Sequence, residues 1–449
     1  MSHRSEPMLG FSPDAFRIRR ERALAALEGS VLVLPAAPVA LKTRDTEHRY
    51  RADSELFYLT GMVDAGGLAV LRPGGDIGNF VLFVQPRNEE AERWSGARLG
   101  PDGAREVFGA DEIYDITEVE TRLPHLLAGA ETVYFRLGSH STVERLVVGV
   151  LETARRHGAR QGHGPRAVAD PGQILDPLRL VKDPEEQDRM RRAASLTVDA
   201  YHELCSTIRP GVGEWELEAT LDSAFRKRGA WGPAYPTIVG SGPNACVLHY
   251  VSNDRTVGGG DLVLVDGGAE LDLYAADVTR TFPASGRFSE HQRSVYEVVL
   301  RANRRAVDAV RPGTTVAHVH REARDELIKG LLELGILEGG RDGVLEADSY
   351  KPFFPHQTSH WLGLDVHDVG DYSSAGESRV LEVGMVLTVE PGLYFPPSAA
   401  GANGVLAEYL DVGVRIEDDV LVTDDGHEVL TSGLPAGPEE IEDLLGGQR

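Results

Sequence analysis

Two stretches of this 449-residue chain, 124 positions apart, end in nearly the same phrase: Gly260-Asp-Leu-Val-Leu-Val-Asp266-Gly-Gly268 and Gly384-Met-Val-Leu-Thr-Val-Glu390-Pro-Gly392. Each sets one carboxylate just past a β-type run of branched, apolar residues. Ligands for a shared metal centre must converge from separate strands, so a repeated strand ending in an acid predicts two related halves that face each other.

The elements around these strands repeat as well. Asp183-Pro184-Glu185-Glu186 joins a cap acid, a proline at the first helical position and two acids in the first turn, which announces a helix. One long helical pattern runs out at Arg209-Pro210-Gly211 and another at Arg311-Pro312-Gly313, and a second amphipathic helix follows each. Residues 177–449 are therefore expected to run helix-helix-strands twice, closing one curved sheet with helices on its outer face. Residues 1–176 read as a separate α/β domain, with strand runs at Val31 to Leu34, Leu68 to Leu71, Phe80 to Val84 and Thr132 to Phe135 and a helix from Pro13 to Leu27. The fold class is thus α/β (α+β) in two domains, and the acidic Pro438 to Asp443 stretch reads as a solvated end.

A chain of this length at 41% hydrophobic residues has ample material for buried cores. Its 70 Asp and Glu against 46 Lys and Arg leave a formal charge of −24, which argues against nucleic acid or an anionic membrane as partner and favours a small or peptide substrate. Cys205 and Cys246 stand alone in their segments, so no disulfide framework or zinc ribbon is expected. Without an apolar leader in Met1 to Gly10 or a run of membrane-spanning length, the expected compartment is the cytoplasm.

Two further acids interrupt apolar strand runs: Asp277 in Ala276-Asp-Val-Thr-Arg-Thr-Phe282 and Glu417 in Gly413-Val-Arg-Ile-Glu-Asp-Asp-Val-Leu-Val422. A buried ionised acid costs several kcal/mol unless it is paired or bound to metal. Taken singly, each is more ordinarily a solvated acid. A histidine cluster changes the balance, because Pro355-His356-Gln-Thr-Ser-His360-Trp-Leu-Gly-Leu-Asp-Val-His367-Asp368 holds three imidazoles in twelve positions, and His249 ends another strand-like run. Four carboxylates and one imidazole would be balanced by two divalent cations. Such an oxygen-rich set suits Mn²⁺, with Co²⁺ or Zn²⁺ as alternatives, and predicts metal-assisted hydrolysis. Competing motifs are absent: no phosphate loop, His-Glu-x-x-His or Gly-x-Ser-x-Gly occurs, and Gly240-Ser241-Gly242 reads as a turn.

With these residues in view, Ser359-His-Trp-Leu-Gly-Leu-Asp-Val-His-Asp-Val-Gly370, Thr388-Val-Glu-Pro-Gly-Leu-Tyr394 and Val414-Arg-Ile-Glu-Asp-Asp419 resemble the signatures of the pita-bread metallopeptidases, closest to the aminopeptidase P group. The front domain resembles that group too, through Tyr50-Arg-Ala-Asp-Ser-Glu-Leu-Phe-Tyr-Leu-Thr-Gly61 and Glu92-Arg-Trp-Ser-Gly-Ala-Arg-Leu-Gly100. The resemblance implies a dinuclear metallo-aminopeptidase that releases the first residue of peptides with proline second. Asp266, Asp277, His360, Glu390 and Glu417 would be the metal ligands, and Glu390 would also carry the proton. By the same resemblance His249 and His367 lie near the reacting carbonyl and leaving nitrogen, while His356, Tyr394, Arg415 and Tyr235 join them on the substrate side.

Departures are small. The proline in Ala234-Tyr235-Pro-Thr-Ile-Val239 is expected to shift a strand edge, and Cys246 to be a small buried hydrophobe rather than a reactive thiol. Prolidase, which takes dipeptides, is the nearest alternative, followed by a non-catalytic binding protein of the same fold and by metal-free, creatinase-like hydrolysis. The resemblance further implies a homodimer or homotetramer, in which Trp94 is either a packed core residue or one that approaches a neighbouring subunit.

Overall fold

The computed structural model describes residues 7–161, 164–374, 376–398 and 407–446. The chain divides into two units, Met1–Arg179 and Leu180–Arg449. The division falls at the last residue of the helix Gly172–Leu180, slightly beyond position 177.

The first unit is built on a six-stranded sheet with strands β1 (Val31–Pro35), β2 (Leu68–Leu71), β3 (Phe80–Val84), β4 (Glu112–Asp115), β5 (Thr132–Tyr134) and β6 (Ala167–Ala169), in the order β4-β3-β2-β1-β5-β6. The central strands β1, β2 and β3 pair antiparallel and the outer ones parallel. The apolar runs of the sequence are the four strands that fill the core, where Val31, Val33, Leu68 and Phe83 meet Leu123 and Val147. The edge strands β4 and β6 are short and mostly half-buried, so they carry no apolar run to announce them. The first helix, Pro13–Ala26, is capped by Ser12, whose Oγ accepts from Ala15 N at 3.2 Å. Its buried face includes Arg20, which stays charged because Leu59 O accepts from it at 2.9 Å and the Phe80 ring lies 4.4 Å away.

In the second unit the helices Pro184–Cys205 and Glu214–Lys227 precede one set of strands, and Glu290–Ala309 and Val316–Glu333 precede the other. A capping box starts the first helix: Asp183 accepts from Glu185 N and Glu186 N, and Glu186 reaches back to Asp183 N. The Arg-Pro-Gly repeat is physical. Gly211 and Gly313 adopt φ of 87° and 84°, a left-handed turn that favours glycine, and their N–H groups donate to Val257 O and Leu381 O at 2.8 and 3.0 Å.

Strands of the first half are β7 (Gly232–Pro233), β8 (Ile238–Ser241), β9 (Leu262–Asp266), β10 (Ala269–Leu271), β11 (Tyr274–Ala275) and β12 (Thr279–Pro283). Those of the second are β13 (Ser373–Ser374), β14 (Glu377–Ser378), β15 (Val386–Val389), β16 (Gly392–Tyr394), β17 (Gly413–Arg415), β18 (Asp418–Thr423) and β19 (Gly426–Val429). The curved sheet is hydrogen-bonded in blocks, chiefly β12-β9-β8 and β15-β18-β19. The halves meet where Glu417 N donates to Thr279 O at 3.1 Å. From the helical side Tyr201 clamps the first block, its hydroxyl meeting Val278 O at 2.6 Å and Val265 O at 3.2 Å. Between β9 and β10 only glycine fits at 268, where a Cβ would stand 1.7 Å from Ala276 O.

Two expectations change. Pro438–Gly446 is a helix rather than a solvated end: its acids face outward, with Glu439 and Glu442 on Arg293, while Ile441 is fully buried and Leu445 nearly so. Pro236 lies between β7 and β8, outside both, so it removes no ladder bond. Among the described residues no helix is long and apolar enough to cross a membrane.

Candidate metal centre

The strand registers decide where the acids fall. β9 ends at Asp266 opposite Thr279, so Asp277 lies two residues further along the partner chain. In the second half Val389 pairs with Asp418, and Glu390 and Glu417 follow at the next position of each chain. His360 is held on the other edge of β15: Trp361 bridges Leu387, Thr388 N donates to His360 O at 2.9 Å, and His360 N donates to Thr388 Oγ1 at 3.1 Å.

These five side chains line one cavity of about 990 Å³. Donor atoms of Asp277, His360 and Glu417 all lie within 4.8 Å of one another. His360 Nδ1 is 3.0 Å from Trp361 O, which fixes the proton there and leaves Nε2 facing Asp277 Oδ2 at 3.3 Å and Glu390 Oε1 at 3.8 Å. Asp266 Oδ2 accepts from Arg415 at 2.6 Å, and Glu417 Oε2 accepts from Thr279 Oγ1 at 2.6 Å. The Tyr235 hydroxyl lies between Asp266 Oδ1, at 2.5 Å, and Asp277 Oδ1, sharing one proton between them.

The electrostatics of this cluster suit a bound cation. Burial, with neighbouring carboxylates, pushes Asp266 up, Glu417 far up and Glu390 up to about 7. Burial opposes a charge on His360, yet the hydrogen bond and charge of Asp277, with Glu390, hold it up to about 9. Burial likewise opposes the Arg415 charge, but Tyr394, Asp266 and Glu417 raise it further. Clustered acids that resist ionising and an imidazole that retains a proton form a donor set that a divalent ion would relieve on both counts. Four carboxylates and one nitrogen fit an oxygen-preferring metal.

Around this centre the cavity is lined by His249, His356, His367, Tyr235 and Arg415, so the structure brings together nearly all the residues named from the sequence. Tyr394 is the exception: it does not line the cavity, and its hydroxyl meets His356 Nε2 at 2.9 Å and accepts from Arg415 at 3.0 Å. His356 is held neutral, down at about 3, by burial and by Arg415, and burial and the neighbouring His360 also lower His367. Cys246 is half-buried, its thiol pushed up to about 12 by burial, which makes it unreactive.

Sequence reasoning missed the outer wall, formed by Val316, Ala317 and His320 on the helix Val316–Glu333. Its signal was the i, i+4 spacing of Val316 and His320 at a helix start. His320 Nδ1 is 2.9 Å from Thr358 Oγ1 and its ring stacks on Phe354, and burial lowers it to about 4. Also missed was the fully buried ion pair Lys182–Asp368, at 3.0 Å, beside His367.

Comparisons with known proteins meet this geometry. The model of metallopeptidase family M24 matches residues 188–424, and that of the aminopeptidase P N-terminal domain matches residues 16–134. The Xaa-Pro aminopeptidase of Escherichia coli (strain K12) is 40% identical over 440 residues, covering 98% of this chain and 99% of the relative. That of Haemophilus influenzae is 37% identical over 437 residues, covering 96% and 97%. Among solved structures, Pseudomonas aeruginosa aminopeptidase PepP superposes with a TM-score of 0.93 at 42% identity, covering 98% of this chain and 99% of that one. A zinc-substituted E. coli aminopeptidase P in complex with product gives 0.92 at 40%, with 98% and 99% covered. A match over more than half the chain, joined to relatives of this identity along nearly its whole length, makes the protein a member of metallopeptidase family M24.

Proposed function

We propose that the protein is a metal-dependent Xaa-Pro aminopeptidase, hydrolysing the bond between the first residue of a peptide and a proline in second place. The observation that carries this is the gathering of Asp266, Asp277, His360, Glu390 and Glu417, from both halves of one unit, in a single cavity. The relatives named above are called Xaa-Pro aminopeptidase, and the solved neighbours are called aminopeptidases.

These five residues would hold two divalent ions, and the oxygen-rich set favours Mn²⁺ over Co²⁺ or Zn²⁺. When bound, such ions polarise a carbonyl and lower the pKa of water. Glu390 accepts a proton from the attacking water and passes it to the departing prolyl nitrogen. His249 and His367 donate hydrogen bonds to charge that develops in the transition state. A prolyl nitrogen inside a peptide bears no hydrogen, so selection for it rests on shape. Neutral His356, Arg415 and Tyr235 provide that shape, and Tyr394 fixes the first two through its hydroxyl.

Residues 177–449 form the catalytic domain in this reading, and residues 1–176 supply subunit contacts in a homodimer or homotetramer. Trp94, 89% exposed on the helix Glu89–Ser95, is no core residue and suits such a contact. The proposed compartment is the cytoplasm, consistent with two unpaired cysteines. The test is hydrolysis of Xaa-Pro-Yaa, Xaa-Ala-Yaa and Xaa-Pro peptides by chelator-stripped protein before and after Mn²⁺ is added. Cleavage of Xaa-Pro-Yaa by the loaded protein alone is expected. Preference for the dipeptide would make it a prolidase, and inert loaded protein would end the proposal.

A further inference from the structure

Glu214 opens the helix Glu214–Lys227, is fully buried and does not line the cavity. Its Oε1 accepts from Ser241 N and Ser241 Oγ, both at 2.7 Å, and its Oε2 from Arg255 N at 2.9 Å. Asn244 Nδ2 lies 3.2 and 3.3 Å from the two oxygens. The Tyr250 hydroxyl reaches Oε2 at 3.0 Å and Asp254 Oδ1 at 2.7 Å, sharing its proton between them. The backbone joins in, since Glu214 N donates to Arg255 O at 2.9 Å. A buried carboxylate is costly unless its lone pairs are filled, and here donors fill them while the helix N-terminus adds favourable potential.

Every one of these donors belongs to one segment, Ser241 to Arg255, which leaves β8 and returns toward β9. Ser241 closes β8 and Gly242–Cys246 is one short 3-10 turn, but residues 247–255 lie in no helix or strand, so beyond the Asn253 side-chain bonds to Val239 N and Thr237 O no ladder holds their path. It carries His249, directly before Tyr250, into the cavity. We propose that Glu214 is a positioning residue for His249, fixing from outside the cavity the loop that presents this imidazole to the reacting carbonyl. The assignment rests on the peptidase reading above.

Glu214→Gln keeps the size but turns one acceptor into a donor facing donors, which releases the loop. With Mn²⁺-loaded protein and an Xaa-Pro-Yaa peptide, kcat should fall on the order of 10²-fold, as a small misplacement of a reacting group can cost. KM should change less than about threefold, since the interaction lost is one made in the transition state, and bound metal should be unchanged. In a His249→Ala background the same substitution should cost nothing further, which a role in folding alone would not produce. Additive losses in the double variant, or wild-type kcat in the single one, overturn the assignment. If Glu214→Gln does not fold, Tyr250→Phe enters the same cycle, where a several-fold loss absent from the His249→Ala background supports the assignment and an additive loss overturns it. Inactive wild-type protein would overturn the peptidase reading and this assignment with it, whereas active protein with additive losses overturns the assignment alone.

Discussion

The two halves of the second unit follow one plan and divide their work differently. In the first half Asp266 faces Thr279, so the two acids, Asp266 and Asp277, are diagonal neighbours; in the second, Glu390 and Glu417 follow the Val389–Asp418 pair side by side. After the shared Arg-Pro-Gly turn the first half continues Val212-Gly213-Glu214 and the second Thr314-Thr315-Val316. Glu214 turns inward to hold a loop, whereas Val316 lines the cavity. The first half lends the cavity one histidine, His249, and the second lends His320, His356, His360 and His367. The repeat preserved the path of the backbone and the acids at the strand ends, which a joint centre requires of both sides. Elsewhere, equivalent positions were free to specialise.

The comparison can be broken most directly at the acids. If both halves grip one centre, Asp277→Ala in the first and Glu417→Ala in the second should each lower bound metal and reduce turnover roughly 10³-fold or more. Full metal content with full turnover in Asp277→Ala would mean that the halves share nothing. Next in size, His249→Ala and His367→Ala take one imidazole from each half, and each should lower kcat about 10²- to 10³-fold with metal retained; a loss confined to one of them would assign transition-state stabilisation to one half.

Stability reports on how the halves are fastened. Arg280 on β12 donates to Glu417 O at 2.6 Å, to Asp418 Oδ1 at 2.7 Å and to Leu434 O at 2.9 Å, all beyond its own half. Arg280→Met strands Asp418 and several carbonyls in the interior, at an expected cost of about 3–5 kcal/mol in urea unfolding. A cost below about 1 kcal/mol, the range of an exposed pair, would show that the halves are held elsewhere. The smallest effect belongs to His320, which burial lowers from an ordinary 6.5 to about 4. A base lowered by folding stabilises fully above its unfolded pKa and loses that contribution as pH falls through the folded one. Stability should therefore drop on the order of 2 kcal/mol from about pH 7 to about pH 4, less whatever solvent screening removes. His320→Gln should flatten that slope, and an unchanged slope would move its origin to other groups.

The acids of the centre were legible because Asp266 and Glu390 close repeated strand runs and Asp277 and Glu417 interrupt apolar ones, and His360 because it stands in a cluster matching a family pattern. Strands β1, β2, β3 and β5 were legible for the same reason, being buried runs, while β4 and β6 lie at edges where burial writes no pattern. Glu214, Arg280 and Lys182 were not legible. Each is an ordinary charged residue whose meaning comes from partners brought near by folding, as with Arg280 and Asp418, 138 positions apart. The helix Pro438–Gly446 escaped notice because its acids outnumber the few apolar residues that dock it.

The wall formed by Val316, Ala317 and His320 belongs to an outer helix, apart from the strand ends that bear the acids. One part of the cavity's lining is thereby encoded in a different stretch of the gene from the acids. Selection, or a library randomised at the codons of Val316 and Ala317, can reshape that part of the lining without replacing any of the acids.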